Sequence, residues 1–356
     1  MAANCPPSTH SNRSSALNVK QVVLGDLLFR TWFQSIYPED LVSKDQERLY
    51  ICRWCFRYSC DAIPYVRHTR ACEHRMTPPG TKVYDHGGYS VWEIDGEEHK
   101  LFAQNISLFA KLFVDHKSVF FDVASFLFYI LTFTDPNDPD HYHILGYFSK
   151  EKLSWDANNL ACILIFPPYQ HKQLGKLLMG VSYKLSGWER DAGLIGGPEK
   201  PLSEMGQKSY IRFWEERLAR YLLKHLFEDN DRDDSQPQKS RPSKGARKQY
   251  PREQMSVHEI GLATGMLTED VITTIKCMGV IESDPKSTKR KQTGTSGDID
   301  ENGDQIVTIR KSKVLEWAKA HRLTLEDPVR EDGFLGDWAP ISTLDESTAE
   351  SQDETE

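Results

Sequence analysis

Four residues limit what this chain can fold into more than any others. Cys52 and Cys55 form a C-x-x-C pair, His68 follows after twelve residues, and Cys72 after three more. A tight knuckle supplies two ligands and a helical turn two more, which closes a tetrahedron around Zn2+. Four protein ligands leave no open position, so this metal is expected to be structural rather than catalytic. Cys60 and His74 offer other donors at poorer spacing. Phe56, Tyr58 and Val66 are the expected small core of the finger, with Arg67, Arg70, His74 and Arg75 beside it. That neighbourhood permits DNA reading, but fingers of this spacing also serve simply as folding staples. The chain's seven cysteines are odd in number and unevenly spread, which argues against a disulfide framework and for a reducing compartment.

A second stretch, residues 161–178, reads ACILIFPPYQHKQLGKLL. Its first six residues are uninterrupted apolar, the pattern of a strand buried on both faces of a sheet. Pro167 and Pro168 end it, because proline has no N–H for the ladder. After a polar turn, apolar residues at 174, 177, 178, 181, 185 and 188 fall on one face at helical period. Strand, turn and helix N-terminus present free N–H groups and the positive end of a dipole, which suits a phosphate-bearing ligand. Only Gly175 remains of a glycine-rich turn, so a buried strand–turn–helix with no ligand is an equally open reading.

The chain has 356 residues and predicts two or three domains. Its net charge of -8 argues against a general nucleic-acid coat. The longest apolar run, near residues 126–133, is far short of the ~18 residues that span a bilayer, and the first fifteen carry no apolar signal core. Neither membrane insertion nor secretion is expected. Six segments follow: a disordered 1–18, N-terminal strands and finger over 19–78, an α/β core over 79–227, a charged linker over 228–252, a C-terminal region over 253–339, and an acidic tail over 340–356.

Within the core, Gly87–Gly88 and Asp95–Gly96 are turn signals between strands, 108–113 reads as a short helix, and 119–122, 126–133 and 143–148 read as strands around a loop at 135–140. A further helix is expected over 209–223. In the C-terminal region, Ser256 and Glu259 form a capping box, Thr268 is the expected cap of a helix over 269–278, and Gly279 stops it. Residues 286–304 are polar and expected to be disordered, followed by a strand at 305–309 and a helix at 312–321. The helix-turn-helix could enter DNA, but Glu269 and Asp270 open its second helix where base contacts are needed, so packing is the stronger reading.

Two residues stand out chemically. Glu199 follows a glycine run and lies between Pro198 and Lys200-Pro201, so its backbone is stiff. A carboxylate held in a cleft and partly desolvated acts as a general base. Cys162 lies on the apolar strand, where a cysteine is ordinarily a small filler, and is a nucleophile only if it emerges at an open edge.

At these residues the chain resembles the MYST family of protein lysine acetyltransferases, and most closely its fungal "something about silencing" branch. The blocks that carry the resemblance are TWFQSIYPEDL, the finger, KLFVDHKSVFFDVASFLFYIL, GYFSKEK, NNLACILIFPPYQ, LGKLLMGVSYKLS and GPEKPLSEMG, in one order from about Gly25 to Pro340. The resemblance implies an α/β (α+β) acetyltransferase core with a mixed, largely antiparallel sheet, flanked by the zinc finger and a winged-helix-like C-terminal region. It implies acetyl transfer from acetyl-CoA to a lysine on a histone tail, H4 being the expected one. It also implies a nuclear location, companion subunits of a chromatin complex and a possible contact with nucleosomal DNA.

By resemblance Glu199 is the general base and Cys162 the active-site cysteine. Ile163, Leu164 and Ile165 lie beside the acetyl-pantetheine arm. Gln170, His171, Lys172, Gln173, Leu174, Gly175 and Lys176 form the pyrophosphate turn, and Ser203 contacts the coenzyme. Lys117 falls on the lysine that family members carry acetylated. The turn departs from the family's Q-R-x-G-x-G: His171 replaces an arginine and Gln173 a glycine. Arg212 stands where the family has a second coenzyme-contacting serine. Two other readings remain beside the enzyme: a catalytically weak scaffold of a chromatin complex, and a zinc-finger and winged-helix DNA-binding module.

Overall fold

The computed structural model describes residues 17–43, 45–115, 121–156, 158–189, 195–228, 252–281, 298–299 and 304–340. The segments expected as N-terminal disorder, charged linker and acidic tail fall almost wholly outside these residues. The chain forms two compact units. One comprises the residues up to Ser154, Leu160–Leu178 and those from Val329 onward; the other comprises Trp155–Asn159 and Met179–Pro328. The class is α+β, as expected.

The first unit begins with β1 (Val19–Leu24), β2 (Leu27–Arg30), β3 (Gln46–Ile51) and β4 (Tyr58–Ser59), in the order β2-β1-β3-β4. β1 and β3 run parallel and the other pairs antiparallel. Helix α1 (Ala62–Arg70) follows, then the hairpin of β5 (Thr81–His86) and β6 (Tyr89–Asp95). Gly87 and Gly88 turn this hairpin at φ +60° and +82°. That left-handed backbone is what the paired glycines supply.

Helix α2 (Lys100–Lys111) is longer than the short helix the sequence suggested at 108–113. Asn105 and Ser107 lie on its buried face, and these polar residues interrupt the apolar period. β7 (Phe126–Asp135) and β8 (Asp138–Glu151) reduce the expected loop at 135–140 to a tight turn, in which Asn137 donates two hydrogen bonds to Asp135 Oδ1. Phe121 and Asp122 lie outside any strand, contrary to the strand expected at 119–122.

With β10 (Cys162–Ile165), which follows β9 (Asn158–Leu160), these strands form an antiparallel sheet in the order β10-β8-β7-β6-β5. One buried core runs from β1 and β3 through the cysteine knuckle and α2 to Phe128, Tyr147, Leu164 and Phe166. The C-terminal segment returns to this unit: Leu335 N–H donates to Val83 O, and Phe334 packs edge-on against Tyr84.

In the second unit β9 pairs with β11 (Gly197–Pro198). Helix α3 (Leu174–Glu189), whose residues from Met179 onward belong to this unit, precedes β11, and α4 (Glu204–Glu228) follows it. α4 extends well beyond the expected 209–223 and buries Tyr210, Phe213, Trp214, Leu218 and Leu222. β12 (Arg252–Ser256) leads into α5 (Val257–Thr264) and α6 (Thr268–Met278); β13 (Asp298–Ile299), β14 (Gln305–Arg310) and α7 (Lys311–Ala320) complete the unit. Ser256 Oγ accepts from the His258 and Glu259 amides, as its capping-box position predicts.

Leu267, not Thr268, is the N-cap of α6, and Thr268 is its first residue. Gly279 ends α6 at φ +64°, as expected. β12, β14 and β13 form a small antiparallel sheet. β12 and β13 lack clear apolar alternation: β12 begins at the last residue of the expected linker and no strand is expected over 253–256, β13 falls in the stretch expected to be disordered, and β14 supplies the hydrogen bonds of both.

Candidate functional site

The zinc-type knuckle assembles as its spacing predicts. The ligand atoms of Cys52, Cys55, His68 and Cys72 all lie within 4.8 Å of one another. Tetrahedral sulfur ligands at about 2.3 Å from Zn2+ are themselves about 4 Å apart, so the set fits one ion. The Cys55 sulfur is 3.1 Å from His68 Nε2. A hydrogen bond from Cys55 holds the Cys52 thiol down to about 5, while that same bond pushes Cys55 up, and burial pushes Cys72 up. Three crowded sulfurs cannot all be thiolates without a cation, and a bound dication makes them so. Cys72 lies just past α1, whose last residue is Arg70, so the second ligand pair spans the helix end rather than a helical turn.

The finger does not have the small core expected for it. α1 has no buried residue, and Val66 is 42% exposed. Instead Phe56 is fully buried and packs against Phe102, Phe109 and Phe166 at 5.4–5.8 Å between ring centroids. Asn105 Nδ2 donates to Cys55 O. The knuckle is thus inserted into the core of its unit, which is the staple role rather than that of a free-standing reader.

Phe166 closes the apolar stretch that begins at Ala161, and here the structure differs from the expected strand buried on both faces. β10 is an edge strand, and Cys162, Ile163 and Ile165 are only half-buried. Phe166 N–H donates to Leu145 O, and Cys162 pairs with Ser149. Alternation along an antiparallel ladder therefore directs the main-chain groups of Ile163 and Ile165 away from β8. Gln170 Nε2 takes the Ile165 carbonyl. Gly146 allows the close approach on the other side, since a Cβ there would lie 2.5 Å from Leu164 O.

The turn that follows is strained. His171 and Gln173 adopt φ +64° and +62°, flanking Lys172. Left-handed backbone costs a non-glycine residue roughly 1–2 kcal/mol. The position where the family pattern has glycine is thus one where this chain also requires the glycine conformation. Leu174 then opens α3; the amides of Lys176 and Leu177 both reach Gln173 O. Gly175 faces open space, with nothing within 4 Å of a Cβ built on it. Lys172 is exposed, and Lys176 is half-buried.

Cys162 lies on the half-buried face, its sulfur 3.7 Å from the Tyr147 hydroxyl. Tyr147 is fully buried, and burial pushes its phenol well above the ordinary range. In the second unit, Glu199 is exposed. Ser203 lies just before α4, where its hydroxyl accepts the Gly206 amide at 3.1 Å. Arg212 is occupied within its own unit: it pairs with Glu216 at 3.1 Å and lies over the Trp317 ring. Lys117 lies outside the described residues. The sequence pointed to Cys162 but not to Tyr147, which lies unmarked within the strand expected at 143–148.

A zinc-type knuckle stapled into an α+β core, with an edge strand running into a turn and a helix, is the arrangement of a zinc-stabilised α+β protein. Residues 77–319 match the MOZ/SAS family, and residues 16–72 match the MYST family zinc finger domain. The chain belongs to this family. It is 38% identical over 259 residues to a histone acetyltransferase Tip60 homolog of Caenorhabditis elegans, covering 73% of this chain and 50% of that protein. It is 37% identical over 273 residues to histone acetyltransferase MOF of Drosophila melanogaster, covering 77% and 29%. Histone acetyltransferase ESA1 of Debaryomyces hansenii is 35% identical over 288 residues, covering 76% and 54%. The chain thus spans about half or less of the length of these relatives.

Proposed function

We propose that this protein transfers the acetyl group of acetyl-CoA to a lysine ε-amine on a histone tail, that of H4 in particular. The observation that carries the reading is the open edge of β10, whose outward main-chain groups lead into the left-handed turn and the start of α3. The edge beside Ile163, Leu164 and Ile165 accepts the pantetheine amides as an added strand does. The pyrophosphate lies on the turn Gln170–Lys176, where backbone N–H groups, the helix dipole and two lysines favour anions. Ser203 adds a hydroxyl that can still donate its proton. Family membership and the names of the relatives support the same chemistry.

The amine must first lose a proton, because a lysine near pKa 10.4 is no nucleophile at neutral pH. Glu199 is the base, and the arriving substrate desolvates its exposed carboxylate. The amine lone pair then forms the new C–N bond at the thioester carbonyl, the C–S bond breaks, and the coenzyme leaves as a thiolate that takes up the proton shed by the acylated nitrogen. Cys162 is the active-site cysteine. The protein acts in the nucleus with companion subunits, Lys117 is its acetylated lysine, and the exposed Arg67 and Arg70 of α1 offer a contact for nucleosomal DNA.

Labelled acetyl-CoA and an H4 tail peptide, with and without companion subunits, test this: zinc-loaded, folded protein that transfers nothing in either condition overturns it. One observation favours a second reading, that of a weakly active scaffold. Gln173 holds left-handed backbone where phosphate must approach. Activity that appears only with companion subunits, and rises on Gln173→Gly, would support it.

A further inference from the structure

The loop that carries Glu199 is held on both sides of it by the helix-turn-helix of its own unit. On the N-terminal side, Gly196 N–H donates to Gly265 O at 3.3 Å, and Gly196 bridges to Met266. A Cβ at Gly197 would lie 2.8 Å from Leu267 Cδ1 and 3.2 Å from Asp270 Oδ2, so the loop lies directly against the start of α6. On the C-terminal side, Lys200 Nζ donates to Asp270 Oδ1 at 2.8 Å and also to Glu269 Oε1.

Asp270 is 4% exposed, and its Oδ2 has no hydrogen-bond partner among the described residues. The fully buried Tyr210 hydroxyl is likewise without one. A buried carboxylate is costly unless a cation answers it, and Lys200 is that cation. Lys200 is therefore not free to wander, and its main chain is one peptide, about 3.8 Å between Cα atoms, from Glu199. This also accounts for the acidic opening of α6, which suits DNA poorly: it faces a lysine of the chain itself.

We propose that Lys200 and Asp270 are positioning residues for Glu199, so that the helix-turn-helix acts as the buttress of the base-bearing loop. This rests on the base assignment of Glu199 made above. Asp270→Asn keeps the shape and removes the charge; Lys200→Met removes the partner; Lys200→Arg retains a cation.

In the full chain, Asp270→Asn and Lys200→Met should lower kcat about tenfold or more, as a small misplacement of a catalytic group does. KM for acetyl-CoA should change less than twofold, and Lys200→Arg should recover most of the rate. Amide exchange in the peptide 195–207 should quicken in the first two variants and not in the third.

If exchange there is unchanged, the clamp does not hold the loop and the proposal falls. If exchange quickens but kcat per folded molecule stays at the wild-type value, the clamp is only structural and the proposal also falls. If Glu199→Gln abolishes transfer while Asp270→Asn and Lys200→Met leave kcat intact, the positioning role alone is lost. If Glu199→Gln leaves transfer unchanged, the base assignment is lost and the positioning role with it.

Discussion

The Tyr147 hydroxyl lies 3.7 Å from the Cys162 sulfur, on neighbouring strands of one sheet. The phenol is fully buried, whereas the cysteine is half-buried at the sheet edge. The hydroxyl is placed to donate to the reachable sulfur. Tyr147→Phe should slow iodoacetamide modification of Cys162 at pH 8 by about fivefold, the factor expected for a hydrogen bond of ~1 kcal/mol. Peptide-resolved mass spectrometry separates this site from exposed Cys277. A faster reaction in the variant would show that the sulfur is the donor.

Gln173 should be replaceable by glycine with gain. Relief of roughly 1–2 kcal/mol of left-handed strain exceeds the glycine's extra chain entropy of about 0.4–1 kcal/mol. Gln173→Gly is therefore expected to raise the unfolding free energy modestly and to tighten acetyl-CoA binding. Denaturant titration and calorimetric binding measure the two effects separately. A destabilised variant would refute the strain argument.

Gly175 offers a contrasting test. A Cβ there meets nothing of the protein, and alanine is the better helix former by up to ~1 kcal/mol. Gly175→Ala should thus keep or raise thermal stability while weakening acetyl-CoA binding, because the space belongs to the ligand. Unchanged affinity would place the coenzyme elsewhere.

The metal should be inseparable from the fold of its unit. Phe56 sits on the knuckle and in the core at once, and its burial alone is worth about 1.5–3 kcal/mol. Cys52→Ser, or a strong chelator, should release one equivalent of zinc and abolish cooperative unfolding of the first unit. A folded variant that retains its zinc would refute the ligand set.

The Lys200–Asp270 pair should leave a mark on stability against pH. Burial raises Asp270 above its ordinary 3.8, and Lys200 opposes that rise. Between the ordinary and raised values the folded chain holds a proton that the unfolded chain has released, so Asp270's contribution to stability falls as pH rises through this window. Lys200→Met should steepen that fall, and Asp270→Asn should remove it. Denaturant midpoints across mildly acidic pH measure both effects, and parallel curves for all three proteins would contradict the pairing.

Much of this protein is legible in the sequence, because the relevant signals are local. Ligand spacing names Cys52, Cys55, His68 and Cys72; turn glycines fix the hairpin at Gly87 and Gly88; Ser256 and Gly279 bound their helices by capping chemistry. The family blocks supply, by resemblance, the proposed roles of Glu199 and of the turn at residues 170–176. β12 and β13 could not be read, because their stabilisation comes from a distant partner strand rather than from their own side chains.

Only the tertiary structure decided the rest. An apolar run such as Ala161–Phe166 reads the same whether it is central or at an edge, because side-chain pattern reports burial and not which main-chain groups are paired. Residue types alone could not say that Gln173 takes the left-handed backbone, that Phe56 binds the finger into the sheet's core, or that Asp270 answers Lys200. Each depends on groups far apart in the chain, and their proximity is settled by packing.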